Sequence, residues 1–349
     1  MLESIIETGA FGSVTTHERL ADLYVPSDQL AGLRGHDRPE AQLMTALTSD
    51  PPQRVQVIGP AGAGKTGMVM RVLGHLSRRD TPHEVLLVNV GDDAEQLASG
   101  AAFMHSMVQR IEIQKHRFAN VDLDLLAAAA ADDVTKTPRQ IEHRLSVGVP
   151  AAGYSASLRK TYETARFGLS PSRARQDFED VVRHVAKSCR PILVIDDTER
   201  FVAPASGAVE RETVRNLFHH AIRSVAEVEQ LDLIVAVHPR YRDVEAVIDV
   251  TERYGFAEIH VPELPAAADE PGLARILQRR LDRNEIDGTV AAVVEPEALA
   301  QIASVYFING HDLREVLDLA QRAARAALDD GAGRIAPRHV QPLLDERGR

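Results

Sequence analysis

The feature that most restricts how this chain can fold is a glycine-rich segment at residues 59–66, which reads GPAGAGKT. It fits the pattern G-x-x-x-x-G-K-[ST], follows a Val/Ile-rich run typical of a strand (54–58), and precedes a segment with helical periodicity (65–79). Glycines let successive backbone N–H groups turn toward one point, and the start of a helix adds partial positive charge. The segment therefore predicts a phosphate cradle between a strand and a helix.

This loop, called the P-loop below, predicts binding of a nucleoside triphosphate, with ATP and Mg²⁺ as the expected cofactors. Lys65 is expected to reach the β and γ phosphates, and the Thr66 hydroxyl is expected to ligate Mg²⁺. The candidate nucleotide-binding residues of the loop are Gly59, Pro60, Ala61, Gly62, Ala63, Gly64, Lys65 and Thr66.

A second acidic position is expected in a site of this kind, because the metal ion and the attacking water both need orienting. The run Ile192–Ile195 reads as a buried strand and ends in two aspartates and a nearby glutamate. Asp196 is predicted to orient Mg²⁺, and Asp197 is predicted to polarise the attacking water. Glu199 is the alternative base.

Strand-like runs at 54–58, 84–90, 191–195, 231–237 and 258–261 alternate with helical segments, which favours a doubly wound parallel α/β sheet. From residue 271 onward the pattern is helical throughout. We therefore predict an α/β nucleotide-binding domain at 34–265 and a small all-helical lid domain at 269–349. Residues 1–33 are predicted to form an N-terminal arm with at most one short helix.

Composition excludes several classes of protein. The 349 residues carry a formal net charge of -11, so the whole molecule is no general binder of polyanions. No apolar run approaches the ~20 residues of a membrane span, and the N-terminal residues lack the basic start of a secretory signal. Cys189 is the single cysteine, which excludes an internal disulfide and suits a cytoplasmic location.

With these motifs in place, the order of elements resembles an AAA+ ATPase, and within that group the origin-recognition initiator clade. Residues 33–40 (LRGHDRPE) resemble the segment that borders the adenine, and this likeness makes Arg38 a candidate nucleotide-binding residue. Residues 196–199 (DDTE) resemble the acidic motif of that clade, with Asp197 where the family usually has Glu. The run 196–200 is also similar to STAND and KAP-type signalling ATPases.

The resemblance implies roles for further residues. The polar residue that senses the γ-phosphate falls at His238, with Arg240 as a competitor. The arginine that reaches a neighbour's nucleotide falls at Arg253, which implies a homo-oligomer. Residues 310–315 (GHDLRE) resemble the start of the lid helix, so Arg314 is expected to touch the γ-phosphate. These cationic contacts imply a switch that closes while the γ-phosphate is present.

The spacing between Lys65 and Asp196 is longer than in that family, which indicates an insertion. Residues 136–175 hold eight Lys or Arg and two Glu, a net charge of +6. Their alternating character around residues 150–153 predicts a projecting β-hairpin. Three interpretations remain open: contact with a nucleic-acid backbone, docking of a protein partner or neighbouring subunit, and a basic surface loop.

Two functions of different kinds follow. The first is an ATP-hydrolysing, oligomeric AAA+ switch that acts on or near DNA, in replication, transposition or anti-phage defence. The alternative is a signalling or scaffold ATPase that gates a separate effector protein without touching DNA. A third interpretation is a nearly inactive module whose ATP is structural. No effector motif occurs in the sequence, so the first two expect a partner protein for any downstream chemistry.

Overall fold

The computed structural model of the protein describes residues 1–12, 17–30, 32–76, 83–89, 99–113, 171–187, 189–196, 207–264, 271–308 and 312–347. Within these ranges, five strands form one sheet: β1 (Arg54–Ile58), β2 (His83–Asn89), β3 (Arg190–Asp196), β4 (Asp232–Val237) and β5 (Ala257–His260). Their spatial order is β2-β3-β4-β1-β5, and every neighbouring pair is parallel. The predicted parallel sheet is confirmed, with each strand within one residue of its predicted ends.

The strands are long apolar runs because both faces of the sheet are covered by helices. All residues of β4 are buried, and six of the seven residues of β3 are buried. The covering helices are α4 (Pro39–Thr48), α5 (Lys65–Leu76), α6 (Gly100–Ile113), α7 (Pro171–Val185), α8 (Gly207–Asn216), α9 (Arg223–Ala226) and α10 (Glu245–Arg253). A π-helical segment, Leu217–Ile222, joins α8 to α9.

A helical domain follows the sheet, as predicted. Its helices are α11 (Pro271–Arg283), α12 (Val290–Val293), α13 (Pro296–Ile308), α14 (Leu313–Asp329) and α15 (Pro337–Arg347). Their apolar faces meet in one core that includes Leu277, Ile302 and Ala320, all with no exposed surface. We call residues 271–347 the lid.

The N-terminal arm is more helical than the sequence predicted. It contains three short helices, α1 (Leu2–Thr8), α2 (His17–Leu23) and α3 (Ser27–Leu30), where the pattern predicted at most one. Leu2, Ile5 and Phe11 are buried in the core of the lid. Short helices of this kind are stabilised by tertiary packing rather than by their own propensity, which explains why the sequence pattern did not reveal them.

The basic insertion is shorter than predicted at its C-terminal end. Arg173 and Arg175, counted in the segment 136–175, lie in helix α7 instead. Arg173 pairs with Asp177 at 3.0 Å and Arg175 with Glu179 at 2.7 Å, both with the i,i+4 spacing of a helix. Acidic residues on the same helix therefore compensate these two charges. The hairpin predicted for the rest of the insertion lies outside the described residues.

In the described part of the chain, no helix combines the length and the apolar character that crossing a membrane requires.

Candidate nucleotide site

The P-loop lies between β1 and α5, at the edge of the sheet where the parallel strands end. Gly62 and Gly64 have φ angles of 70° and 93°, a region that side-chain-bearing residues rarely adopt. The Gly59 N–H donates to the carbonyl of Val237 at 3.2 Å and so ties the loop to the end of β4. The loop thus has the backbone geometry that a phosphate cradle needs.

Lys65 is buried at the start of α5, with 3% of its surface exposed. Its ammonium donates to the carbonyls of Gly59 and Pro60, each at 2.9 Å. The Lys65 ammonium is therefore held within the P-loop, where bound phosphates are expected. A lysine buried in this way is a point charge placed for phosphate oxygens.

The two predicted metal ligands meet in the structure. The Thr66 hydroxyl donates to a carboxylate oxygen of Asp196 at 2.6 Å, although the residues are 130 positions apart. Asp196 is the last residue of β3 and is 3% exposed. Hydroxyl and carboxylate oxygens are the hard donors that Mg²⁺ prefers, so this pair fits a magnesium ion. Asp197 and Glu199, the candidate bases, lie outside the described residues.

The lid reaches the P-loop through the first residues of α14. The Asp312 carboxylate caps this helix by accepting from the Arg314 N–H at 2.8 Å. A Cβ placed on Gly62 would lie 2.7 Å from the Asp312 carboxylate, 2.8 Å from the Arg314 nitrogen and 2.9 Å from the Leu313 nitrogen. Burial raises the pKa of the Asp312 carboxyl, and the bond from Arg314 partly offsets this. The α14 terminus is therefore packed directly on the loop.

Beside this contact, a cavity of about 980 Å³, open solvent included, lies between the P-loop, the lid and the arm. Its walls combine the P-loop at residues 62–66, the lid residues Tyr306 and Arg314, and the arm residues Leu23 to Val25. The cavity has a cationic end at Lys65 and Arg314 and an apolar end at the arm, a combination suited to a nucleotide with its phosphates on the loop.

The arm wall is held in place by one buried carboxylate. Glu40 accepts hydrogen bonds from the Tyr24 hydroxyl at 2.8 Å, the Ser27 N–H at 2.7 Å and the Ser27 hydroxyl at 2.6 Å. Burial raises the pKa of Glu40, but the bonds from Ser27 and Tyr24 outweigh it, so the net shift is downward and the carboxylate stays charged. Burial and the Glu40 charge raise the pKa of the Tyr24 hydroxyl, which stays a donor.

Sequence reasoning missed this wall. Tyr24 lies against the P-loop, since its ring is 3.6 Å from a Cβ placed on Gly64. The signal available in the sequence was the apolar run Leu23-Tyr24-Val25-Pro26. The structure shows that all four of these residues are buried. Arg38, the predicted nucleotide-binding residue, does not line the cavity. Its guanidinium lies 3.7 Å from the Asp28 carboxylate and 3.8 Å from Glu40, behind the wall.

His238 follows β4 beside the P-loop and is partly exposed. Its Nδ1 accepts from the Arg240 N–H at 3.3 Å, so the ring caps the short 3₁₀ helix Pro239–Tyr241. The competitor Arg240 is exposed, with its guanidinium 5.2 Å from the Tyr241 ring centre. The structure places His238 next to the loop, and its sensing role stays a prediction.

Arg253 is the last residue of α10 and is exposed. Its guanidinium lies 5.8 Å from the ring centre of Tyr254, and it does not line the cavity of its own chain. An exposed arginine outside the cavity of its own chain is accessible to a nucleotide bound by a second copy of the protein. That role also stays a prediction.

No protein-family model matches the sequence, and no curated protein matches it. Among solved structures, Cdc6p from Pyrobaculum aerophilum is 15% identical with a TM-score of 0.51, over 95% of this chain and 71% of that chain. The Orc1 protein of Aeropyrum pernix in complex with DNA is 17% identical, with a TM-score of 0.47 over 95% and 71% of the two chains. Drosophila ORC bound to DNA is 15% identical, with a TM-score of 0.47 over 96% and 67%.

At this level of identity, the likeness to Cdc6p shows a shared fold. The fold that the motifs and the resemblance predicted is confirmed: this chain shares the fold of Cdc6p, a parallel α/β domain followed by a helical domain.

Proposed function

We propose that this protein binds ATP and Mg²⁺ in the cavity between the P-loop and the lid, and that it hydrolyses the ATP. The observation that carries the proposal is the 2.6 Å hydrogen bond between Thr66 and Asp196, beside a buried Lys65. Two metal-binding oxygens from distant parts of the chain and one cation converge on the loop.

The P-loop N–H groups and the start of α5 would hold the phosphates, and Lys65 would neutralise charge on the β and γ oxygens. Thr66 and Asp196 would hold Mg²⁺, which supplies further neutralisation of charge on the phosphates when bound. Asp197 orients the attacking water in this proposal, with Glu199 as the alternative. The arm wall at Leu23 to Val25 would shield the adenine ring of the nucleotide from water.

The lid makes the site a switch. Arg314 lines the cavity and directly follows Asp312 and Leu313, which lie against Gly62 of the loop. A bound γ-phosphate would therefore add a contact to the Arg314 guanidinium that exists only in the closed state. A ligand shifts an equilibrium only through such differential contacts. Arg253 supplies the corresponding contact to a neighbouring copy, so the proposed working form is a homo-oligomer.

We also propose that the protein acts on or near DNA. The support for this is the basic segment at residues 136–170, which keeps six Lys or Arg against two Glu in an acidic protein. Basic segments of this kind bind phosphate backbones without sequence preference. Replication, transposition and anti-phage defence are all compatible with such an activity, whereas gating of a separate effector protein without contact to DNA is the alternative.

The test is steady-state ATP hydrolysis with and without double-stranded DNA, with Lys65→Ala as the blank. Stimulation by DNA that falls steeply with added salt is expected. The double variant Arg159→Glu, Lys160→Glu should lose the stimulation. Arg322→Glu, Arg325→Glu makes the same charge change on the lid and should keep it.

A measurable rate that is indifferent to DNA would reject the DNA part and favour the partner-gating alternative. Nucleotide binding without turnover would reject hydrolysis as well and leave a structural nucleotide. Absence of nucleotide binding to the unmodified protein would reject the whole proposal.

A further inference from the structure

The N-terminal arm is attached to both domains, on either side of the cavity. Residues 1–12 belong to the lid: Ile5 and Phe11 are fully buried in its core. Gln321 of α14 accepts from the Phe11 N–H at 3.0 Å and donates to the Ile5 carbonyl at 3.3 Å. Residues 17–30 are bonded to the α/β domain, through the Tyr24 and Ser27 bonds to Glu40, while Val25 also packs in the core of the lid.

One lid helix contacts both halves of the arm. On α11, Arg280 donates to the Ala10 carbonyl at 3.3 Å and to the Gly12 carbonyl at 2.6 Å. The preceding residue, Arg279, donates to the Asp22 carbonyl at 3.0 Å. Two successive arginines therefore hold the first half of the arm and the second half.

Arg280 also lines the nucleotide cavity. It is 5% exposed, and Ile276, one helical turn earlier, lies in the same wall. Residues 1–12 do not line the cavity, where the arm contributes residues from Leu20 onward. Arg280 is thus a residue that touches both the cavity and the first half of the arm, and its charge complements a nucleotide.

We propose that Arg280 is a positioning residue that couples nucleotide occupancy to docking of arm residues 1–12 on the lid. This inference rests on the proposed nucleotide binding. An anionic ligand in the cavity, with or without a γ-phosphate, attracts the Arg280 guanidinium and keeps α11 in the position that the structure shows. In that position the guanidinium holds the Ala10 and Gly12 carbonyls. Because coupling between two events is reciprocal, a docked arm strengthens nucleotide binding by the same factor.

Hydrogen exchange of the arm reads out the coupling directly. The N–H groups of Ala10, Phe11 and Gly12 are bonded to the Ile5 carbonyl, the Gln321 side chain and the Gly9 carbonyl. ADP should slow the exchange of these three amides about tenfold in the unmodified protein, a typical size for coupling between sites. A role of Arg280 confined to folding would not make arm exchange depend on ADP.

The variant Arg280→Gln should lose this protection and bind ADP about tenfold more weakly, and Arg280→Lys should restore part of both. Arg279→Gln is the matched control, since it removes one arginine from the same turn but leaves residues 1–12 untouched. It should keep the ADP-dependent protection of the three amides.

Three results overturn the inference. The first is ADP that binds the unmodified protein without slowing exchange at residues 10–12. The second is Arg280→Gln with unchanged protection. The third is a failure of ADP to bind at all, which rejects the proposed function and this inference with it. Because the first result needs no variant, the test holds even where Arg280→Gln does not fold.

Discussion

At the scale of single residues, the site depends on positions where a side chain cannot be accommodated. Gly62 combines a φ of 70° with close approach of the lid, so a Cβ there meets Asp312, Leu313 and Arg314 within 2.9 Å. Two of those three contacts are with backbone atoms, which cannot rotate away. Gly62 therefore sets how closely the lid approaches the P-loop.

We expect Gly62→Ala to weaken ADP binding at least tenfold, because the strained backbone costs roughly 1–3 kcal/mol and the methyl group holds the lid away from the loop. Isothermal titration calorimetry with ADP measures this. The control is Gly74→Ala in α5, where a Cβ meets nothing within 4 Å. That change should leave binding unaltered and add up to ~1 kcal/mol of stability. Equal affinities for both variants would contradict the role given to Gly62.

At the scale of secondary-structure elements, the strands are tied together at the edge opposite the site. Asp232 begins β4 and has no exposed surface. Its carboxylate pairs with Arg190 at the start of β3, with one contact at 2.9 Å, and accepts from the Gln53 N–H at 2.7 Å just before β1. One side chain thus links three adjacent strands at their first residues and sets how their opposite ends, which carry the site, line up.

We expect Asp232→Ala to lower the free energy of unfolding by about 3–5 kcal/mol, because it leaves Arg190 partly buried without this carboxylate. Urea unfolding followed by circular dichroism gives the value. Asp243→Ala removes the partner of an exposed pair, since Asp243 lies 3.1 Å from Arg211 with both side chains more than 60% exposed. It should cost less than about 1 kcal/mol. A similar loss for the two variants would show that burial of Asp232 contributes little.

At the scale of the whole molecule, the proposed site is complete only when a second copy supplies Arg253. The residue is exposed at the end of α10, outside the cavity of its own chain. In an assembly, a nucleotide would then contact the P-loop and Arg314 of one copy and Arg253 of the next. Loss of Lys65 and loss of Arg253 would therefore damage different halves of each shared site.

We expect Arg253→Ala and Lys65→Ala to be inactive alone and to regain part of the ATPase activity when mixed, because a mixed interface can join an intact P-loop to an intact Arg253. The assay is turnover at fixed total protein and varied mixing ratio, with activity expected to peak at an intermediate ratio. Arg253→Ala should still bind ADP normally. Flat, additive activity across all ratios would reject a shared site.

Much of the fold and part of the site could be predicted from sequence, and the reason is local. Strands and most helices follow from the period of their apolar residues, and the P-loop is a contiguous motif. Asp196 could be placed because it ends a buried strand, and parallel strands end at one edge of the sheet. The hydrogen bond between Thr66 and Asp196 agrees with that placement, and their role as metal ligands stays a prediction.

Contacts between distant parts of the chain were decided by tertiary structure alone. Arg280 meets the arm 268 to 270 positions earlier, and Gln321 meets Ile5 and Phe11 over more than 300. No local pattern encodes such pairs, because each is stabilised by packing that exists only after both partners are folded. Arg173 and Arg175 are a different case: they lie in α7, where each pairs with an acidic residue four positions later, a local spacing that the charge count over residues 136–175 did not take into account. The sequence by itself determined the phosphate cradle and the sheet, whereas packing between distant segments determined the walls of the cavity.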